Sequence, residues 1–328
     1  MVSKLAVRDA LPPAIIITGP TAAGKTALVE ALFDRFPISL ISVDSAQVYR
    51  GLNIGSAKPD PARLRRYPHA LIDLRWPEEA YSAADFVADA EAEMRRAAAA
   101  GRIPVLVGGT VLYLRALLYG LDPLPPGDPS LRARLVERAE REGWPALHAE
   151  LSRHDPETAV RIQPTDPQRI QRALEVLSLT GAGMAAQHSR VREPRFSSLR
   201  LVLADSDRAS LHRRINLRLE GMFEEGLIEE VEQLRRERPA LDFDCPAMRA
   251  VGYRQVWQFL DGKLDRQELT VRAVAATRQL AKRQLTWLRK FNDALWYDPA
   301  HASTLAVIGG QVKAYLRRLA EGRFVQTP

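Results

Sequence analysis

The chain has 328 residues, 46% hydrophobic and 27% charged, the composition of a globular protein with room for two domains or one large core with an insertion. No apolar stretch reaches the roughly 18–20 residues of a membrane span, and Met1–Pro13 carries Lys4, Arg8 and Asp9 instead of a signal-peptide run. A single cysteine, Cys245, and six histidines without metal-ligand spacing exclude an internal disulfide and a built-in zinc site, while a net charge of +7 permits a polyanionic partner.

Residues 1–13 are expected to form a disordered tail on a cytoplasmic, monomeric protein. Ala14–Thr18 is a short β-branched run that ends at Gly19 and predicts a buried strand, and Thr26–Phe36 predicts a helix. A second strand, Ser39–Val43, ends at Asp44. Ser82 is a plausible N-cap for a helix reaching Ala100. A third strand, Ile103–Val107, runs into Gly108, Gly109 and Thr110, and another helix follows. Alternation of strand and helix predicts an α/β fold with a parallel, doubly wound sheet.

The texture changes after Leu121, where four prolines punctuate the stretch to Pro129. Ser130–Gly183 reads as helical, and Asp166 followed by Pro167 opens one of those helices. A polar segment, Gln187–Ser198, precedes a fourth strand, Leu199–Ala204, which ends at Asp205. Residues 122–195 are therefore expected to be a helical insertion between two parts of the core, 14–121 and 196–328. Parallel strands place Gly19, Asp44, Gly109, Thr110 and Asp205 at one sheet edge, where open α/β sheets bind ligands.

Chemistry concentrates at that edge. Gly19, Pro20, Thr21, Ala22, Ala23, Gly24, Lys25 and Thr26 fit the phosphate-loop pattern, directly after a strand and before a helix. Backbone N–H groups and the helix N-terminus suit two adjacent phosphates, Lys25 adds a point charge, and the Thr26 hydroxyl can meet Mg²⁺. The motif reads a polyphosphate without naming what it carries. Asp44 reads equally as a magnesium-side carboxylate or as a general base. The two glycines before Thr110 let backbone approach a ligand closely, although a plain tight turn has the same composition. Cys245 has no distinctive context and reads as structural.

The basic residues are unevenly spread. Between Leu269 and Asn292 stand six basic residues and no acidic one. Helical spacing puts Arg278, Lys282 and Arg289 on one face and Leu280, Trp287 and Phe291 on the other, so the stripe is either a solvated face or a nucleic-acid contact. Gln168 with Gln171, and Arg169 with Arg172, share helix faces and can meet base edges and phosphates.

Together these motifs resemble the bacterial tRNA dimethylallyltransferases, also called isopentenyltransferases. The resemblance rests on the phosphate loop, the run from Asp44 to Pro59, Val107–Thr110, Asp166–Glu175, Arg249–Arg254 and Ala276–Arg289, in that order. It implies a P-loop NTPase-like parallel sheet core with an inserted helical domain that grips the anticodon stem-loop of tRNA. It also implies transfer of a dimethylallyl group from dimethylallyl diphosphate to the exocyclic amine of the adenosine 3′ of the anticodon, with Mg²⁺. Asp44 then matches the general base, Thr110 a residue beside the reacting centre, Arg218 an arginine on the diphosphate, and Arg132 a tRNA contact. Four segments match tRNA-contacting regions. They are Asp44, Ser45, Ala46 and Gln47; Gln168, Arg169, Ile170, Gln171 and Arg172; Arg249, Ala250, Val251, Gly252, Tyr253 and Arg254; and Lys282, Arg283, Gln284, Leu285, Thr286, Trp287, Leu288 and Arg289. Departures at Ala23, Ser56, Val111, Gln163 and Thr165 remove no proposed catalytic group.

Two rivals compete on residue types alone. A small-molecule kinase would explain the phosphate loop and Asp44 but not the basic helix. A nucleic-acid-stimulated ATPase would explain the basic surface but needs an apolar strand ending in paired acids, which the sequence lacks.

Overall fold

The computed structural model describes residues 10–187 and 193–322. Six strands form one wholly parallel sheet: β1 Ala14–Thr18, β2 Ile38–Val43, β3 His69–Ala70, β4 Ile103–Gly108, β5 Ser198–Leu203 and β6 Leu295–Tyr297. Their order is β3-β2-β4-β1-β5-β6. The chain runs outward from β1, returns through β4, and crosses to β5 on the far side of β1. That reversal is the switch point at which parallel sheets open a ligand crevice.

Four strands agree with the sequence reading to within a residue, while β3 and β6 are absent from it. Both are too short for a period to show, and Leu295 and Trp296 of β6 are exposed at the sheet edge. The buried Leu11 ends the expected N-terminal tail before that residue. The rest of that tail, residues 1–9, lies outside the described residues, as do residues 188–192 of the polar segment.

Every residue of β1 is buried. Both faces of the strand are covered, so its sequence is a continuous apolar run without alternation. Ile15 and Ile17 share a cluster with Leu28, Val29 and Leu32 of α1 (Lys25–Phe33), and with Ile308, Val312 and Tyr315 near the C-terminus. After α2 (Pro61–Arg66), α3 (Ala83–Ala99) packs on β2 and β4. Ser82 caps α3 as expected: its Oγ accepts from Asp85 N at 3.2 Å, and the Asp85 carboxylate accepts from Ser82 N at 2.8 Å. Helix α4 (Val111–Tyr119) follows β4.

The described residues of Tyr119–Glu193 form a compact unit of their own. Its helices are α5 Pro129–Glu142, α6 Trp144–His154, α7 Pro156–Ala159, α8 Pro167–Thr180 and α9 Met184–Gln187. Leu131, Leu135, Leu147, Leu151, Ile170 and Leu174 form its core. Asp166 caps α8, accepting from Arg169 N at 3.2 Å, with Pro167 in the first turn.

The sheet unit continues with α10 (Arg208–Glu224), α11 (Leu227–Glu237), α12 (Tyr253–Leu260), α13 (Arg266–Leu288) and α14 (Thr304–Ala320). No helix among the described residues is long and apolar enough to cross a membrane.

Helices α11 and α12 hold the loop after β2. The Glu230 carboxylate accepts from Asn53 N at 3.1 Å, Ile54 N at 2.9 Å and the Tyr253 hydroxyl at 2.6 Å. Tyr253 in turn accepts from Ser56 N at 3.2 Å and has no exposed surface. A Cβ on Gly55 would lie 2.6 Å from the Tyr253 ring, so only glycine lets the loop come this close. The loop then receives Gln47, whose Nε2 donates to Ser56 O and Ala57 O at 3.3 and 3.2 Å. Tyr253→Phe removes the hydroxyl and leaves buried partners unpaired, a loss of about 1–3 kcal/mol. Urea unfolding will register it as a lower midpoint with an unchanged slope.

Candidate active site

The ends of β1, β2, β4 and β5 bring the expected residues to one edge of the sheet. The phosphate loop starts with Gly19 at φ +151°, where a Cβ would sit 2.1 Å from Leu203 O at the end of β5. No side chain fits there, so the loop leaves β1 tight against its neighbour. Gly24, at φ +80°, delivers the chain into α1 without a side-chain cap. The first N–H groups of α1 have no partner inside the helix and carry the positive end of its dipole. They face the concavity of the loop, which is the geometry for an anion.

Three cations surround that loop. The Lys25 ammonium donates to Gly19 O at 3.0 Å and Pro20 O at 2.8 Å. Burial of the ammonium, with Arg218 next, pulls its pKa down to about 8, while Asp44 opposes the change and Arg214 adds to it. Arg214 and Arg218 stand one turn apart on α10 and so share a face. The Arg214 guanidinium donates to Ala22 O and pairs with Asp205 at 3.2 Å. Among the described residues neither carboxylate oxygen of Asp205 accepts a hydrogen bond, and burial raises its pKa against the pull of Arg214. The sequence reading places Asp205 at this edge but misses Arg214, although its spacing from Arg218 was a usable signal.

Asp44 follows β2. Its Oδ1 accepts from Ala46 N at 2.8 Å and Gln47 N at 3.2 Å, an Asx turn that fixes the carboxylate. Among the described residues, Oδ2 accepts nothing. Thr110 lies across from this turn, where its Oγ1 accepts from Ser45 N at 3.1 Å and donates to Ser45 Oγ at 3.3 Å. The glycines before Thr110 are tightly packed against the protein. A Cβ on Gly108 would meet Val43 O at 2.1 Å, and one on Gly109 would meet Gln284 Nε2 at 2.4 Å.

The donor set around Thr26 fits a magnesium ion only in part. Thr26 is exposed in the first turn of α1. Among the described residues no group of three or more His, Cys, Asp or Glu could hold a metal. A hard cation here would draw most of its oxygen ligands from bound phosphates.

Several residues expected to touch tRNA are engaged within the protein. Ile170, Tyr253 and Leu288 are fully buried, and their part is packing. Leu285 packs with Ala281 of α13 against Leu211 and Ile215 of α10 and against Ala22 of the phosphate loop. The head group of Gln284 is taken up by backbone partners, and that of Gln47 by two backbone carbonyls and the Ser42 hydroxyl. Arg278 donates to Asn216 Oδ1 at 3.0 Å, so it leaves the expected outer stripe. Trp287 is 40% exposed and serves as a platform for Lys290 and Arg115, not as an anchor. The true inner face of α13 is Leu269, Ala273, Ala281 and Leu288. Lys282, Arg283 and Arg289 remain exposed.

Within the helical unit, the buried Glu175 organises the basic residues. Its carboxylate accepts from Arg132 Nε at 2.8 Å and Nη2 at 3.1 Å, from Arg172 Nη1 at 2.6 Å, and from Asp128 N at 2.8 Å. Arg172 also donates to Pro125 O at 2.7 Å and acts as a pin, whereas Arg132 keeps a half-exposed outer edge. Gln168 and Arg169 are exposed, and Gln171 donates to Arg132 O at 3.1 Å. In the 249–254 segment, Arg249 is exposed and Arg254 lies 4.0 Å from the Phe243 ring centre.

The lowered pKa of Lys25 sets a pH dependence for anion binding. Below about pH 8 the ammonium is charged and ready for a diphosphate; above it, binding must take up a proton. Affinity for inorganic diphosphate will therefore fall by up to about tenfold per pH unit above that point. Lys25→Ala will bind more weakly at neutral pH and lose the slope, as calorimetric titration across that range will register.

The comparisons agree with this geometry. Residues 47–291 match the family model described as IPP transferase. The tRNA dimethylallyltransferase of Thiobacillus denitrificans is 57% identical over 289 residues, 88% of this chain and 92% of that one. The tRNA dimethylallyltransferase of Azoarcus sp. is 55% identical over 300 residues, 91% and 93% of the two chains. Among solved structures, the full-length tRNA isopentenylpyrophosphate transferase of Bacillus halodurans aligns with a TM-score of 0.69 at 33% identity, covering 95% of this chain and 99% of its own. A eukaryotic dimethylallyltransferase acting on tRNA shares the fold, with a TM-score of 0.76 at 24% identity over 96% of this chain and 81% of its own. A family match over most of the chain, with relatives more than half identical along nearly their whole length, shows that the chain belongs to the IPP transferase family.

Proposed function

We propose that this protein transfers the dimethylallyl group of dimethylallyl diphosphate to the exocyclic amine of the adenosine 3′ of the anticodon in tRNA, releasing diphosphate. The observation that carries this reading is the charge pattern of the sheet edge. Three cations stand around one phosphate loop; Asp205 is buried against one of them, and the Asp44 carboxylate stands across from them with an unshared oxygen. A kinase or ATPase needs a metal-binding acid at the end of a neighbouring strand. Here β4 ends in Gly108, with Gly109 and Thr110 following, and the acid after β5, Asp205, is buried against Arg214.

The chemistry then follows from residue types. An adenine amine is a weak nucleophile because its lone pair is delocalised into the ring. As its nitrogen bonds to the allylic carbon, the carbon–oxygen bond to diphosphate breaks, and the nitrogen gives up a proton. Asp44 Oδ2 takes that proton while Oδ1 stays fixed in its turn. The amides of the phosphate loop, Lys25 and Arg218 receive the charge that builds on the leaving group. Bound Mg²⁺, held by the Thr26 hydroxyl and by diphosphate oxygens, would neutralise part of that charge. Thr110 borders the same space and orients the base. The adenine must leave its stack to reach Asp44, so the base flips. Arg132, Gln168, Arg169, Arg249, Lys282, Arg283 and Arg289 present the exposed polar groups that suit an RNA backbone. The protein acts in the cytoplasm as a monomer.

The assay sets label transfer from dimethylallyl diphosphate to bulk tRNA against phosphate release from ATP. Transfer without hydrolysis supports the reading, and tRNA-independent ATP turnover contradicts it. Asp44→Ala will lower single-turnover transfer by about 10²–10⁴-fold, with tRNA affinity changed by less than about tenfold. Near-normal turnover in that variant removes Asp44 as the base.

A further inference from the structure

Helix α13 presents Lys282, Arg283 and Arg289 to solvent, yet Gln284 in their midst turns inward. Its Oε1 accepts from Thr21 N in the phosphate loop at 2.9 Å. Its Nε2 donates to Gly109 O in the turn before Thr110, also at 2.9 Å. We infer that Gln284 is a positioning residue: its amide ties the phosphate loop to the Gly109–Thr110 turn and fixes how far the leaving diphosphate lies from the attacking amine. The role in transfer rests on the function proposed above; the clamp itself does not.

The need for a clamp arises where the sheet ends. Strands β1 and β4 are paired up to Thr18 opposite Gly108. Past that pair, among the described residues, no ladder hydrogen bond fixes the two loops against each other. One loop carries Thr21, Lys25 and Thr26. The other carries Thr110, which holds Ser45 next to Asp44. The distance between diphosphate cradle and base is therefore set by whatever bridges the loops beyond the sheet.

Gln284 has the chemistry for that bridge. The partner on one side is an N–H and on the other a carbonyl, so the bridging group must accept and donate at once. A primary amide does both, while a carboxylate or an ammonium does only one. The site is shaped for it as well: a Cβ on Gly109 would lie 2.4 Å from Gln284 Nε2. Its stem is held by the packing of Ala281 and Leu285 against α10 and Ala22. The amide is thus anchored to the same framework that carries Arg214 and Arg218. A reading of Gln284 as a tRNA contact would require its amide to give up both bonds.

Displacement at carbon is sensitive to this distance, and a misplacement of about 1 Å costs on the order of 10² in rate. Gln284→Ala should therefore lower the single-turnover rate at saturating concentrations of both substrates by roughly 10²-fold, with tRNA affinity within about threefold of wild type. Gln284→Glu keeps an acceptor for Thr21 but offers Gly109 O a second acceptor, so this near-isosteric variant should lose rate too. Retention of the saturating rate in either folded variant, or loss confined to tRNA affinity, would overturn the inference. Hydrogen exchange at the Thr21 amide supplies a readout that needs no activity. It should be slow in the wild type and faster in Gln284→Ala, even if the wild type transfers nothing to tRNA and the functional reading fails. Equal exchange in the two proteins contradicts the clamp.

Discussion

Positive charge held close together is the feature around which this molecule is built. Lys25, Arg214 and Arg218 meet at the N-terminal end of α1, where the helix dipole adds to their repulsion. Asp44 and Asp205 offset only part of it. Burial, with the neighbouring cations adding to it, lowers the pKa of the weakest member, and Lys25 falls to about 8. The arrangement is tolerable because a buried sheet edge, the α10–α13 pair and the loop carbonyls hold the cations in place. In the proposed reaction, an incoming diphosphate relieves the strain of like charges, and a departing one is stabilised by the same groups. Binding and leaving-group stabilisation are then one electrostatic property.

Much of this was legible in the sequence, because the informative residues stand at strand ends. A buried parallel strand must be apolar throughout, so Ala14–Thr18 announces itself and Gly19 marks its end. Asp44, Thr110 and Asp205 follow from the same logic, since parallel strands deliver their C-terminal ends to one side. The phosphate loop adds a spacing that chance rarely produces in that context. The family resemblance then supplied roles for Asp44 and Arg218 that spacing alone left open.

What the sequence hid is the destination of amide and hydroxyl groups. Gln47, Gln284 and Tyr253 all lie in segments that look fit for RNA, yet their polar atoms satisfy backbone groups of the protein, which for Gln284 and Tyr253 lie far away in sequence. Sequence separation reaches 263 residues for Gln284 and Thr21, and no local pattern encodes such a pair. The helical-wheel reading of α13 holds for Lys282, Arg289 and Phe291 and fails at Arg278 and Trp287. It took bulk as the sign of burial, whereas close approach to α10 selects the small Ala281 and leaves Trp287 at the rim.

The central claim concerns where the transferred carbon ends up. The most direct measurement is mass spectrometry of nucleosides from tRNA treated with this protein and dimethylallyl diphosphate, mapped to position by partial digestion. The account predicts one adenosine, immediately 3′ of the anticodon, heavier by a dimethylallyl group on its exocyclic amine. Modification elsewhere on the tRNA, or a phosphoryl group in its place, would contradict it.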